Sequence, residues 1–370
     1  MSNLREPIDF FDQLTRADIV GVLVPSVVAF LVGIFVTPIV ANALYKHKVW
    51  KAKSVAKTVD GKAATITQKL HNDDKRKVPR MGGLVIIASA AITTLLFWAL
   101  AILFDGGLAG DIDLVNRDQT WIPLFALFVG AALGAADDLA VCGKANSLKI
   151  GKYVGGGLSL KVRLAIVGLI SLFCGYWFHY KLGIDSIYIP FVGDLSLGLL
   201  IIPLVVIAMV ATYSGGIIDG IDGLAGGVYS IIFSSYAVIA MMQGKYDLAA
   251  LCLMIVGGLM AFLWFNIPPA RFYLTEVGDM PLTLVIALIA FITETVAILP
   301  IIAFPLLVTT ASVIIQVLSK KYRGKKVLTV SPLHNNFQVN GWPGHKVTMR
   351  YWVFSQMAAV SGIIIYILGY

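Results

Sequence analysis

The chain has 370 residues, 58% of them hydrophobic and 14% charged, with a mean hydropathy of +0.84 and a formal net charge of +8. Soluble domains are about 45–50% apolar, so this composition excludes an ordinary soluble enzyme and points to an all-α, polytopic membrane protein. The three cysteines (Cys142, Cys174 and Cys252) have no metal or redox spacing and read as small packing residues.

The N-terminal segment MSNLREPIDFFDQLTRAD is mixed in charge and has no apolar core before Ile19, so it does not read as a cleavable leader. Ten apolar stretches follow, near 19–45, 82–104, 121–136, 163–180, 196–213, 226–242, 247–265, 281–293, 296–318 and 351–369. A helix needs about 20 apolar residues to cross a bilayer, and the first stretch is long enough to do so. The eighth is short, and Glu294 separates it from the ninth. No loop is large enough for a separate domain, so residues 1–370 form one membrane domain, with no internal repeat.

Ten spans place both termini on one side. The loops 46–81, 137–163, 214–225, 266–280 and 319–350 hold 24 of the 29 lysines and arginines. Basic residues concentrate on the cytoplasmic side, so these loops are cytoplasmic and both termini face outward. The same loops carry the polar motifs.

The second of them begins GAADDLA, with Asp137 and Asp138 adjacent at the end of the third span. Acidic residues are costly near a bilayer, and two side by side call for a cation or a bound proton. The third loop, YSGGIIDGIDGLAGG, has Asp219 and Asp222 as its only charges. If helical, they share a face, and the glycines permit close backbone approach to a ligand. In the fourth, FNIPPARFYLTEVGDMPLT, Asn266 precedes a proline turn, Tyr273 offers a ring for stacking, and Glu276 and Asp279 return to the membrane. The fifth contains SPLHNNF, with His334, Asn335 and Asn336 near five basic residues between Lys320 and Lys326. The first ends DDKRKVPRMGG, with Lys75, Arg76, Lys77 and Arg80.

Carboxylates from three loops on one face suit Mg²⁺, a hard cation that takes oxygen ligands and bridges phosphates. Basic loops opposite suit a phosphate-rich substrate. Walker A, HExxH and strand-linked GxGxxG patterns are absent. Membrane topology accounts for the basic residues, so nucleic-acid binding is not expected. A transporter would show broken spans in repeated halves with acids at the midplane, and neither pattern is present.

These motifs, in this order from about Lys75 to the C-terminus, resemble the polyprenyl-phosphate N-acetylhexosamine-1-phosphate transferase superfamily. Within it they are most similar to the phospho-N-acetylmuramoyl-pentapeptide transferase branch. SPLHNNF and the following GW look like that branch's PLHHHFE and GW motifs, whereas KVPRMGG blends its GTPTMGG with the PIPRLGG of sibling enzymes. The resemblance implies a cytoplasmic active site in a bacterial inner (plasma) membrane, Mg²⁺ as cofactor, and room for a homodimer. The implied reaction transfers phospho-MurNAc-pentapeptide from its UDP carrier to undecaprenyl phosphate, giving lipid I and UMP for peptidoglycan synthesis. The alternatives are a sibling acting on UDP-GlcNAc and a homologue with weak or no activity.

Carried over residue by residue, the resemblance implies catalytic roles for Asp137, Asp138, Asp222 and His334, with the base left open between the adjacent pair. It implies substrate contacts for Lys75, Asp219, Gly220, Asn266, Tyr273, Asn335 and Asn336, and metal contacts for Glu276, Asp219 and Asp222. Four positions depart from the pattern. GDVGS reads TEVGD, which puts Glu276 where the family has its metal-binding aspartate. The NLTDG asparagine is Gly216, the HHH run is HNN, and the lysine after the DD pair is Val141.

Overall fold

The computed structural model describes residues 15–50, 77–103, 114, 118–143 and 157–370. Helices dominate: α1 (Arg16–Lys46), α2 (Leu84–Leu103), α3 (Asp118–Val141), α4 (Leu160–Tyr180), α5 (Ile201–Ser214), α6 (Leu224–Met242), α7 (Tyr246–Asn266), α8 (Glu276–Ile292), α9 (Leu299–Ile302), α10 (Phe304–Arg323), α11 (Leu333–Val339) and α12 (Gly344–Gly369). Between α4 and α5, β1 (Ser186–Ile189) and β2 (Gly193–Ser196) form an antiparallel hairpin, which α12 meets through a Phe191 N–H to Gly369 carbonyl bond of 3.2 Å.

Among the described residues, nine helices are long and apolar enough to cross a membrane. The tenth expected span is α8, whose 17 residues extend about 25 Å. Every residue of α8 from Val277 to Ile292 is buried, because α3, α5 and α6 surround it. It is the axis of the bundle and meets protein rather than lipid, so it needs no lipid-length apolar face. The largely buried α7 packs against α1 and α2, which also meet each other, and small residues let the backbones approach closely: a Cβ on Gly257 would strike the Ser26 carbonyl.

The ninth apolar stretch is not one continuous helix. It divides at Ala303, whose φ of −95° and ψ of 25° are not helical, into α9 and α10. Pro300 and Pro305 each lie at the start of a helix, where a missing N–H costs nothing. α10 also turns its polar residues inward. Thr309, Ser312, Gln316 and Ser319 are buried, while Leu307, Ile314, Ile315 and Leu318 are exposed. The chain just beyond α10 folds back to satisfy that polar face. Gln316 Nε2 donates to the Leu328 carbonyl at 2.8 Å, and its Oε1 accepts from the N–H groups of Val327 and Leu328 at 3.0 and 2.9 Å. Ser319 donates to the Lys325 carbonyl at 2.9 Å, and Ser312 accepts from the Leu333 N–H at 3.0 Å.

Candidate active site

The segment before α2 and the segment between α7 and α8 are stitched together by backbone hydrogen bonds. Tyr273 N–H donates to the Pro79 carbonyl (2.9 Å), Gly82 N–H to the Tyr273 carbonyl (2.7 Å) and Gly83 N–H to the Leu274 carbonyl (3.1 Å). Two glycines make this approach possible: a Cβ on Gly83 would lie 2.5 Å from the Gly278 Cα. The seam delivers Arg80 and Thr275 to the end of α3, where the paired aspartates sit.

Asp138 is fully buried and accepts four hydrogen bonds. Arg80 donates through Nε and Nη2 to Oδ1 at 3.1 and 2.9 Å. The Thr275 hydroxyl and Val277 N–H donate to Oδ2 at 2.6 and 3.0 Å. Burial works against the Arg80 charge, but Asp138 outweighs it and holds the guanidinium pKa above its ordinary value. Asp137 is also buried, at 2% exposure. It accepts from the Leu158 N–H and lies 4.0 Å from Arg163 Nη1. Arg163 in turn pairs with Glu276 Oε1, while the Tyr213 hydroxyl donates to Glu276 Oε2 at 3.2 Å.

Thr275 connects this half of the site to the next. Its N–H donates to Asp219 Oδ2 at 2.9 Å, and its hydroxyl both donates to Asp138 and accepts from the Met81 N–H at 3.0 Å. Its φ is +56°, an outlier for a β-branched residue of a kind that costs about 1–3 kcal/mol. These three bonds hold it there.

The DGIDG stretch is not helical, so Asp219 and Asp222 do not share a helix face. A 3-10 turn ends at Ile218, and α6 begins only after Gly223. Gly223 has φ +75°, a left-handed conformation glycine adopts without steric cost. Asn266 clamps this turn, accepting from the Gly223 N–H and donating to the Phe272 carbonyl, both at 2.8 Å. Asp222 Oδ2 accepts from the Ala270 N–H at 3.0 Å. Burial, reinforced by the like charges of Asp138 and Asp222, pushes the Asp219 carboxyl up to about 6, against the pull of Thr275 N–H and Arg80.

His334 lies on the short helix α11 rather than in an open loop and is 1% exposed. Its imidazole fills the space beside Gly220, where any Cβ would strike Nε2. Asn336 Oδ1 accepts from the Thr329 and Val330 N–H groups at 3.1 and 3.5 Å, so it shapes its own loop. Asn335 Oδ1 is buried with no hydrogen-bond partner among the described residues. Lys75 lies outside the described residues.

The structure therefore brings together Asp137, Asp138, Asp219, Asp222, Gly220, Asn266, Tyr273, Glu276 and His334. Sequence reasoning missed Arg163 and Thr275. Arg163 stands at the start of a span, where a basic residue passes for a topology signal. Thr275 stands where the family pattern has glycine, and that substitution was the available clue.

Among the described residues, no three His, Cys, Asp or Glu side chains are arranged to hold a metal ion by themselves. The donor chemistry nevertheless fits Mg²⁺, which is commonly bound by one or two carboxylates plus substrate phosphates. Asp219 is a hard oxygen donor beside like charges, with Oδ2 engaged and Oδ1 left for a ligand. Glu276 is instead neutralised by Arg163.

Comparison with known proteins places this site in a class. Residues 120–294 match the family described as glycosyl transferase family 4. That segment runs from α3 through α8, so it includes both aspartate pairs and Glu276. The similarity to full-length relatives is more specific. The chain is 33% identical over 294 residues to a phospho-N-acetylmuramoyl-pentapeptide-transferase of Anoxybacillus flavithermus, covering 79% of this chain and 84% of the relative. Proteins of the same name from a Geobacillus species and from Lactiplantibacillus plantarum are 32% and 31% identical, with coverages of 79% and 84%, and 79% and 85%. The chain belongs to the phospho-N-acetylmuramoyl-pentapeptide-transferase family, and it is a multi-pass membrane transferase.

Proposed function

We propose that this protein transfers phospho-MurNAc-pentapeptide from UDP-MurNAc-pentapeptide to undecaprenyl phosphate at the cytoplasmic face of a bacterial inner membrane, releasing UMP and forming lipid I. The observation that carries this reading is the convergence of carboxylates and arginines from separate cytoplasmic loops at the ends of membrane helices. It is supported by similarity to transferases of that name over most of both chains.

The geometry divides the adjacent aspartates. Asp138 is saturated by four donors and positions Arg80 and α8. Asp137 has one backbone donor and a distant arginine, so it is the member that takes up or orients the proton of the attacking lipid phosphate. Arg80 and Arg163, each directed by a carboxylate, face the diphosphate with their remaining N–H groups. Tyr273, fixed through its backbone to the first loop, presents a ring to the uracil. Asn266 holds the turn that carries Asp222, and His334 buttresses the same turn through Gly220. Asp219 and Asp222 are the carboxylates that would hold Mg²⁺ jointly with phosphate oxygens. The ion, when bound, neutralises charge developing on the leaving UMP.

The test is UMP release by detergent-purified protein with undecaprenyl phosphate and Mg²⁺, with UDP-MurNAc-pentapeptide and UDP-GlcNAc assayed side by side. Release with the first alone is expected. Release with UDP-GlcNAc alone would move the protein to the sibling activity, and release with neither would overturn both.

A further inference from the structure

The two faces of α12 differ along its whole length. One face packs on the protein. Thr348 donates to the Asp222 carbonyl at 3.1 Å, and Ser355, Ala359 and Gly362 are buried further along the helix. Side chains three, four or seven residues apart share a helix face. Lys346, Arg350, Val353, Met357, Ile364 and Leu368 therefore form one stripe on the opposite side, and all six are exposed.

That stripe changes from cationic to apolar where the edge of a bilayer would cut it. α12 has 26 residues and is about 39 Å long at the helical rise of 1.5 Å per residue. The hydrocarbon core is about 30 Å thick, which leaves about six residues outside it. The apolar part runs from Tyr351 onward, so the surplus lies at the start of the helix. Lys346 then stands in the headgroup layer and Arg350 at its inner edge.

The two cations are also held in place. Trp342 stacks on Phe337 with ring centroids 4.8 Å apart and an interplanar angle of 14°. The Arg350 guanidinium carbon lies 4.1 Å from the indole centroid, and Lys346 Nζ lies 5.1 Å from it. Neither pairs with an acidic side chain among the described residues. Like charges at this spacing repel on a helix, and the indole face offsets part of that cost. Topology bias accounts for cations at this end of the bundle, but not for two of them seated on one stacked ring. A diacyl lipid with an anionic headgroup matches both parts of the stripe. Its phosphate accepts from the guanidinium and the ammonium, and its chains lie along Val353, Met357 and Ile364.

We propose that Trp342, Lys346 and Arg350 form a headgroup site for an anionic phospholipid of the bilayer. The site faces lipid, away from the Asp222–Gly223 turn, and it does not depend on which donor the enzyme uses.

The experiment titrates detergent-purified protein with dioleoyl-phosphatidylglycerol and with dioleoyl-phosphatidylcholine, and counts bound lipid by native mass spectrometry. Wild type, K346Q/R350Q, K346R/R350K and K325Q/K326Q are compared, the last removing two other exposed cations from the same end of the bundle. Wild type should bind its first phosphatidylglycerol about tenfold more tightly than phosphatidylcholine. K346Q/R350Q should abolish that preference, with phosphatidylcholine binding unchanged, while K346R/R350K and K325Q/K326Q keep it. W342L leaves both charges but removes their seat, and it should reduce the preference about threefold. No preference in wild type, or one that survives in K346Q/R350Q, would overturn the site. Equal losses in K346Q/R350Q and K325Q/K326Q would make charge count the cause and overturn it as well. Displacement of the bound lipid by equimolar soluble glycerol 1-phosphate would assign the cations to a free phosphate ester, with the same result.

Discussion

The two aspartate pairs of this protein have the same residue type and opposite surroundings. Asp138 and, through Arg163, Glu276 are matched to arginines. Asp219 and Asp222 each accept a backbone N–H and lie near one another. The first half of the site is neutralised by the protein itself and is therefore rigid before substrate arrives. The second half gathers like charges that burial leaves costly, and a bound cation would offset them. Preorganisation and binding are thus divided between neighbouring carboxylates, with Thr275 as the bridge.

The largest expected effect lies in the first half, at the aspartate that is not matched bond for bond to an arginine. D137N should lower kcat by about 10³-fold or more, the upper part of the range for a proton-transfer group, while donor Kd by calorimetry stays within about twofold. Retained turnover would move the base elsewhere.

D138N should act through folding instead. Removing one partner of a buried ion pair costs about 3–5 kcal/mol, so the variant should lose thermal stability in detergent and activity together. Adding R80M should recover much of the stability without recovering turnover. Full stability of D138N alone would show that Arg80 is not held by this pair.

T275V keeps the shape and removes the hydroxyl. It leaves Asp138 Oδ2 with one donor and Met81 N–H without its acceptor, which should cost about 1–3 kcal/mol in denaturation midpoint. It should also raise the Mg²⁺ concentration needed for half-maximal rate, because Asp219 is held by the same residue.

The smallest effect concerns pH. The carboxyl of Asp219 is raised in the folded chain, from its unfolded value near 3.8 to about 6. Its contribution to stability is therefore complete below pH 3.8 and lost as the pH rises through 6. Asp219 is only partly buried, and screening reduces the effect to about 1–2 kcal/mol. Without Mg²⁺, D219N should remove that part of the pH dependence when melting is followed from pH 4 to 7. Identical profiles for D219N and wild type would show that Asp219 is not strained by its surroundings.

The membrane architecture was legible because lipid imposes a composition on helices, and acids in apolar sequence stand out. Asp137, Asp138, Asp219 and Asp222 could be named for that reason, and the structure places them together. Their division of labour was not legible, because it depends on partners far away in sequence. Arg80 meets Asp138 across 58 residues, and Arg163 meets Glu276 across 113. His334 was named as a loop residue of the site, but its place on α11 was not legible, since nothing local signals that Gly220 leaves room for its ring. The division of the ninth span was within reach, through Pro300 and Pro305, but the continuous apolar run concealed it.

The inverted polarity of α10 has a consequence for how the protein is made. Synthesis runs from the N-terminus, so Gln316 and Ser319 leave the ribosome before Lys325, Val327 and Leu328, the groups that satisfy them. During that interval the helix presents a polar stripe with no partner to the insertion machinery. α10 therefore settles in the bilayer only as its own downstream segment emerges and folds back, which joins α10 and the stretch through Leu333 into a single unit of membrane insertion.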